Sequence, residues 1–215
     1  TQRCPGASLR LAFGYFLEVT KARVLSAAME LIAERGEAHL RLADVAERAG
    51  LSIGAVQHHF RNRERLVAHA QSRRFVEPAR ADIRAIMELF DNADTAEEVQ
   101  VALEAVTRAV VERARATQRM DRLSSLSAAH GRPDVYASMR VEVSQLTEEF
   151  ADAIRGLQTK GFVRRDVDAT AVSVFVQSYA LGMVIADLVE PACPDEALAN
   201  VVDLFVGALF PDATA

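Results

Sequence analysis

Leu42 to Phe60, LADVAERAGLSIGAVQHHF, constrains this chain more tightly than any other stretch. It reads as two short helices joined by a tight turn. Leu42, Val45, Ala46 and Ala49 form an i, i+3, i+4, i+7 apolar stripe that ends at Gly50. A chain reversing between two helices wants a positive φ there, which glycine adopts without steric penalty. Leu51 then plugs the corner, and Ser52 is a good N-cap for the second helix. Val56 and Phe60 point inward at i, i+4, which turns Ile53, Ala55, Gln57, His58 and part of His59 outward. Small Ala46 lets the two helices cross closely. An exposed helix start that is uncharged and flanked by basic residues is what a helix-turn-helix needs to enter a DNA major groove.

Composition supports a helical protein that touches nucleic acid at one place only. Half of the 215 residues are apolar, there is no Trp, and Gly and Pro are few. From Lys21 to Arg65 the chain has eight Lys/Arg against six Asp/Glu, a net of +2, so with −5 overall the remainder carries −7. A weakly basic module on an acidic body fits site-specific contact rather than the coating of nucleic acid. Cys4 and Cys193 lie far apart without metal-ligand spacing, which points to a reducing cytoplasm with no disulfide framework and no structural zinc. Cys4 reads as a thiol in an unstructured start and Cys193 as a loop residue beside two prolines.

Along the chain, Lys21 to Arg35 is expected as an amphipathic helix capped by Thr20, bracing the helix-turn-helix into a three-helix module. Residues 1–18 form an extension, either a packed or swapped extra helix or residues upstream of the natural start. Residues 19–65 are the DNA-binding domain, and residues 66–215 a larger helical domain for effector binding and dimerisation. Arg61-Asn62-Arg63 is a short basic turn before a long helix that is bent or broken around Pro78. Thr95 and Glu98 make a capping box for a helix to about Thr117, and a shorter helix follows from Asp121 to Ala129. Helices from Asp134 to Lys160, from Asp168 to Val189, and to near Phe210 complete an all-α chain.

Ala171 to Val189 is apolar enough to imitate a membrane span, but Gln177 and Asp187 interrupt it and no companion span is present. Ser178, Gly182 and Ala186 recur every four residues, a strip where another helix can approach closely. The last helix offers Val202, Val206, Leu209 and Phe210. Together these two helices are expected to build a four-helix homodimer interface. Effector-pocket candidates on the middle helices are Leu123, Leu126, Tyr136, Met139 and Val143, followed by Leu146, Phe150, Phe175 and Tyr179. Arg119, Arg140, Gln145 and Gln177 are candidate polar anchors, Gln177 above all because a buried amide needs a partner. Such a lining suits a hydrophobic or aromatic ligand.

The pattern Ala46…Gly50-Leu51-Ser52…Gly54…His59-Phe60, followed by a basic turn and Leu66, resembles the TetR-family transcriptional regulators over about Lys21 to Ala70. The resemblance implies a homodimer that binds a palindromic operator, usually as a repressor, and is released when a small molecule binds the body. By position it places Ser52, Ile53, Gly54, Ala55, Gln57, His58 and His59 on or beside the recognition helix. Arg41 starts the helix before it, Arg61 belongs to the basic flank, and Arg63 falls where the family usually grips phosphate. Arg41 replaces a common Thr, losing a side-chain cap but supplying a cation. Ile53 replaces an often-basic residue and could meet a thymine methyl. Gln57 replaces a common aromatic and could read adenine bidentately. These departures bear on which operator is read.

Adjacent helical residues point about 100° apart, so His58 and His59 are poorly placed to chelate one metal. The chain has no P-loop, no Gly-rich dinucleotide turn, no nucleophile elbow and no H-E-x-x-H. A catalytic role, a metal and a cofactor are therefore not expected. The alternatives to a repressor are a small-molecule-responsive activator with the same DNA module, and a helical protein-interaction adaptor.

Overall fold

The computed structural model describes residues 6–210, with side chains from Leu17 onward, and Cys4 lies outside the described residues. Ten α-helices carry the described chain and none of its residues is in a strand. Contacts divide the chain into two compact units. One comprises residues up to Arg74 together with Ala128–Met139, and the other Phe75–Ser127 with the residues from Arg140 onward.

The first unit is built on α1 (Gly6–Arg35), α2 (Leu42–Ala49), α3 (Ile53–Phe60) and the start of α4 (Arg63–Asp91). Val24, Ala28, Val45, Val56, Phe60 and Leu66 form the centre of its core, with Leu42 and Leu51 packed against the edge. The expected local chemistry is in place. Gly50 ends α2 at φ 64°, and its N–H and that of Leu51 close the last turn onto Glu47 and Ala46. Ser52 Oγ accepts from the Ala55 N–H at 3.1 Å and starts α3. Thr20 does not cap a helix, because α1 begins at Gly6 and Thr20 is buried inside it. The apolar run before Lys21 thus continues α1 rather than forming a separate element.

The second unit holds the rest of α4, then α5 (Ala96–Val111), α6 (Ala116–Ser127), most of α7 (Pro133–Lys160), α8 (Ala169–Gly182), α9 (Val184–Leu188) and α10 (Asp195–Gly207). Thr95 and Glu98 form the capping box of α5, and Asp168 accepts from the Ala171 N–H at 2.7 Å to start α8. Gly161, at φ 80°, follows the end of α7.

Three boundaries differ from expectation. Helix α4 passes Pro78 unbroken. The helix expected to reach Thr117 stops at Val111, and Arg119 donates to the freed carbonyls of Val110 and Glu112. The helix expected to reach Val189 is interrupted at Met183, where the Ala186 N–H bonds the Met183 carbonyl at 3.0 Å in a tightened turn. Within Ala169–Leu188, the segment of membrane-span hydropathy, Gln177 bonds Thr147 of α7 and Asp187 bonds Arg119 of α6.

Gly50→Ala is expected to destabilise the first unit by about 1–2 kcal/mol, since an L side chain is strained in the left-handed region. The added Cβ would also stand 3.2 Å from Arg23 Nη2, which donates to the Ala49 carbonyl. Urea unfolding followed by circular dichroism measures the loss.

Candidate nucleic-acid interface and ligand cavity

Helix α3 shows one face to the core and one to solvent. Val56 and Phe60 are buried, while Ile53, Gly54, Gln57 and His58 are exposed and Ala55 and His59 half-buried. The exposed row carries an apolar tip, an amide and an imidazole, with no carboxylate to repel phosphate. Arg41 is exposed at the N-cap of α2 and makes no side-chain capping bond. Ser52 is exposed too, but its hydroxyl is engaged in the cap of α3.

The basic turn after α3 is tighter than its sequence shows. Arg61 adopts φ 58°, ψ −51°, and the Asn62 N–H reaches back to the Phe60 carbonyl at 2.6 Å, a γ-turn of the strained hand. Asn62 Oδ1 accepts from the Arg65 N–H at 2.9 Å and opens α4. Arg63 faces inward in part. Its Nε donates to the Leu40 carbonyl at 2.9 Å and its Nη2 to the Glu37 carbonyl at 2.5 Å. Those bonds tie α4 to the turn before α2, a role that spacing alone could not show.

The second unit has a cavity of about 710 Å³, open to solvent on one side, between α5, α8 and α10. Leu103, Val172, Phe175, Val176, Phe205 and Val206 give it a hydrocarbon wall. Thr107 and Tyr179 also line it, and Arg164 and Asp168 stand at its polar side. Arg164 is paired there with Asp166.

Of the residues expected at a pocket, Phe175 and Tyr179 line this cavity. Leu146 and Phe150 are buried on α7, while Val143 and Leu123 are half-buried and Leu126 exposed. Tyr136 and Met139 belong to the first unit, the one exposed and the other buried. Gln177 donates to Thr147 Oγ1 at 3.0 Å and to the Ser173 carbonyl at 3.2 Å, so the partner it required is inside the protein. Arg119 forms a buried ion pair with Asp187, and Arg140 and Gln145 are exposed.

On the two terminal helices Ser178 and Gly182 are exposed and Ala186 half-buried. Val202 and Val206 are turned inward and line the cavity with Leu209, while Phe210 is half-buried. The exposed apolar side of α10 is instead Val201, Leu204 and Phe205, with Leu204 at 76% exposure. The apolar face of α10 is broad, carrying Val201, Leu204 and Phe205 beside Val202 and Val206, with Glu196, Asn200 and Asp203 on its polar side.

The sequence profile of the bacterial regulatory proteins of the tetR family matches residues 24–70, the span of the helix-turn-helix and its braces. Over this module the chain is similar to the tetR family. Its fold is TetR-like beyond that span as well. A protein from Rhodococcus sp. assigned to the TetR family of transcriptional regulators superposes with a TM-score of 0.60 at 21% identity, covering 89% of this chain and 98% of that one. GusR of Salmonella enterica gives 0.57 at 18% identity, with coverage of 89% and 95%. A protein from Saccharomonospora viridis assigned as a transcriptional regulator, solved in complex with choline, gives 0.55 at 22% identity, with coverage of 90% and 98%. No curated protein matches the sequence.

Two features of this module have consequences for its stability. Arg61 holds an unfavourable backbone angle without being glycine. Arg61→Gly is expected to raise unfolding free energy by about 1 kcal/mol by relieving that angle, read from the denaturant midpoint. The other feature is His59. Burial pushes its imidazole below the ordinary value of 6.5, with His58 and Lys21 adding and Glu18 opposing. The unfolded chain then binds more protons than the folded one just below pH 6.5. Stability should fall as pH is lowered through that value and level off below the folded pKa. His59→Gln should flatten this part of the profile, compared by urea midpoints at about pH 7.5 and about pH 5.5.

Proposed function

We propose that this chain is a ligand-responsive transcriptional regulator, a repressor that binds a palindromic operator as a homodimer in the cytoplasm and lets go when a small apolar molecule enters its C-terminal body. The observation that carries the reading is the exposed, carboxylate-free row Ile53, Gly54, Gln57 and His58 on a capped and core-anchored α3. In a helix-turn-helix dimer two such helices enter successive major grooves roughly 34–36 Å apart. Gln57 has the amide that pairs bidentately with adenine, and Ile53 the methyls that meet thymine. Arg41 and Arg61, both exposed, are the cations for flanking phosphates.

The exposed hydrophobic side chains Val174, Ile185, Leu188 and Leu204 on α8, α9 and α10 support the dimer. Apolar area of this kind on one protein marks an association surface. The α5–α8–α10 cavity supports the effector, since its volume is that of a drug-sized pocket and its wall is hydrocarbon. Release follows if the ligand favours a body conformation whose paired recognition helices no longer match the groove spacing, a coupling that also makes operator DNA weaken ligand binding.

The test is a fluorescence-anisotropy titration against DNA flanking the gene, at two salt concentrations and with non-specific competitor. Saturable, salt-sensitive binding with dimer stoichiometry is expected. Gln57→Ala with His58→Ala should lower specific affinity by about a hundredfold or more and leave circular dichroism and dimer mass unchanged. Undiminished operator affinity in that double variant overturns the assignment of α3. Failure of any DNA, including selected random sequences, to bind overturns the regulator reading.

A further inference from the structure

Arg122 of α6 is a buried cation without a counter-charge of its own. It is 7% exposed, its guanidinium lies 4.9 Å over the Phe75 ring, and its Nε donates to the Phe75 carbonyl at 2.9 Å. Among the described residues no carboxylate forms an ion pair with it, and its Nη1 and Nη2 donate to no acceptor. The carboxylate whose charge it feels, Asp82, is bonded to Arg115 at 2.7 Å. Burial pulls the Arg122 guanidinium below its ordinary value, with Asp82 opposing. A guanidinium nevertheless stays charged at neutral pH. A charge taken out of water is tolerated when an opposite charge and hydrogen bonds meet it.

The same side chain lines a cavity of about 20 Å³ in the second unit, with Asp82, Arg115, Gln118 and Arg119 also in its wall. This cavity shares no lining residue with the one between α5, α8 and α10. Asp82 is the one carboxylate among its lining residues, and Arg115 holds it. Arg119 is committed to Asp187 and to the carbonyls of Val110 and Glu112. Three guanidiniums thus meet two carboxylates, and the positive charge left over is that of Arg122. Room of this size holds a particle about as large as one water, which excludes sulfate, phosphate and carboxylates. A water could accept from the Nη groups but brings no charge. We propose that Arg122 and the cavity beside it form a chloride site, in which the ion accepts from Nη1 and Nη2 and the Gln118 amide is a further donor. The site is independent of the reading of the α5–α8–α10 cavity as the effector site.

The experiment compares thermal unfolding of the full-length protein in sodium chloride and in sodium gluconate at equal ionic strength, so that general screening is the same in both. Gluconate is too large for the cavity. The wild-type midpoint is expected about 3 °C higher in chloride, the shift of a site whose ligand stands at roughly ten times its Kd. Arg122→Met keeps an unbranched stem over Phe75 and removes the charge, so its midpoint should be the same in the two salts. The chloride NMR line should be broadened by the wild type and less so by the variant. Equal wild-type midpoints in the two salts, or the same chloride advantage in Arg122→Met, overturns the site. Should that variant not fold, competition on the wild type decides. Bromide should narrow the broadened chloride line and gluconate should leave it unchanged, and equal effects of the two overturn the site.

Discussion

A helix of eight residues has almost no stability of its own in water, so everything on the solvent face of α3 depends on the two side chains that hold it down. Val56 and Phe60 are both buried, and the ring of Phe60 meets His69 of α4 edge-on at 5.7 Å. The Ser52 cap fixes one end of α3, and the γ-turn at Arg61 fixes the other. The exposed amide and imidazole are thereby presented at angles set by packing rather than by their own flexibility.

Glu37 connects the same module through polar contacts. Its carboxylate accepts from Gln71 at 2.8 Å and from Arg132 at 2.6 Å, and its carbonyl accepts from Arg63. Two separate stretches of chain, α4 and the turn before α7, thus converge on one residue in the turn before α2. The participation of Arg132 explains why Ala128–Met139 belongs with the N-terminal helices although it is far from them in sequence. The core likewise extends into α4 through Leu66, Val67 and Ala70, with no gap where the helix-turn-helix motif ends.

Local signals were the legible ones. Gly50, Ser52, the Thr95–Glu98 box and Asp168 each act within a turn of helix, and a single sequence carries that chemistry in full. The stripe through Val45, Ala46, Val56 and Phe60 was equally plain, because one period describes it. What sequence could not supply was the direction of long side chains and the pairing of distant helices. Arg63 was expected from the resemblance at a phosphate, and its side chain reaches carbonyls 23 and 26 residues away. The cavity joins α5 to α10, and Leu103 and Phe205 carry no mark of that meeting. The apolar face of α10 is wide, so periodicity could not tell Val202 and Val206, which are buried, from Val201 and Leu204, which are exposed.

The ion pair of Arg119 with Asp187 also matters before the protein is folded. Ala169–Leu188 leaves the ribosome as a 20-residue stretch with the hydropathy of a membrane span. Its acidic residue finds its counter-charge on a segment synthesised 68 residues earlier. Arg119 has therefore emerged before the apolar stretch does, and α6 can be waiting when Asp187 appears. The order of synthesis thus sets out the counter-charge of Asp187 ahead of the segment that carries it, while that contact leaves most of the apolar stretch uncovered within one protein.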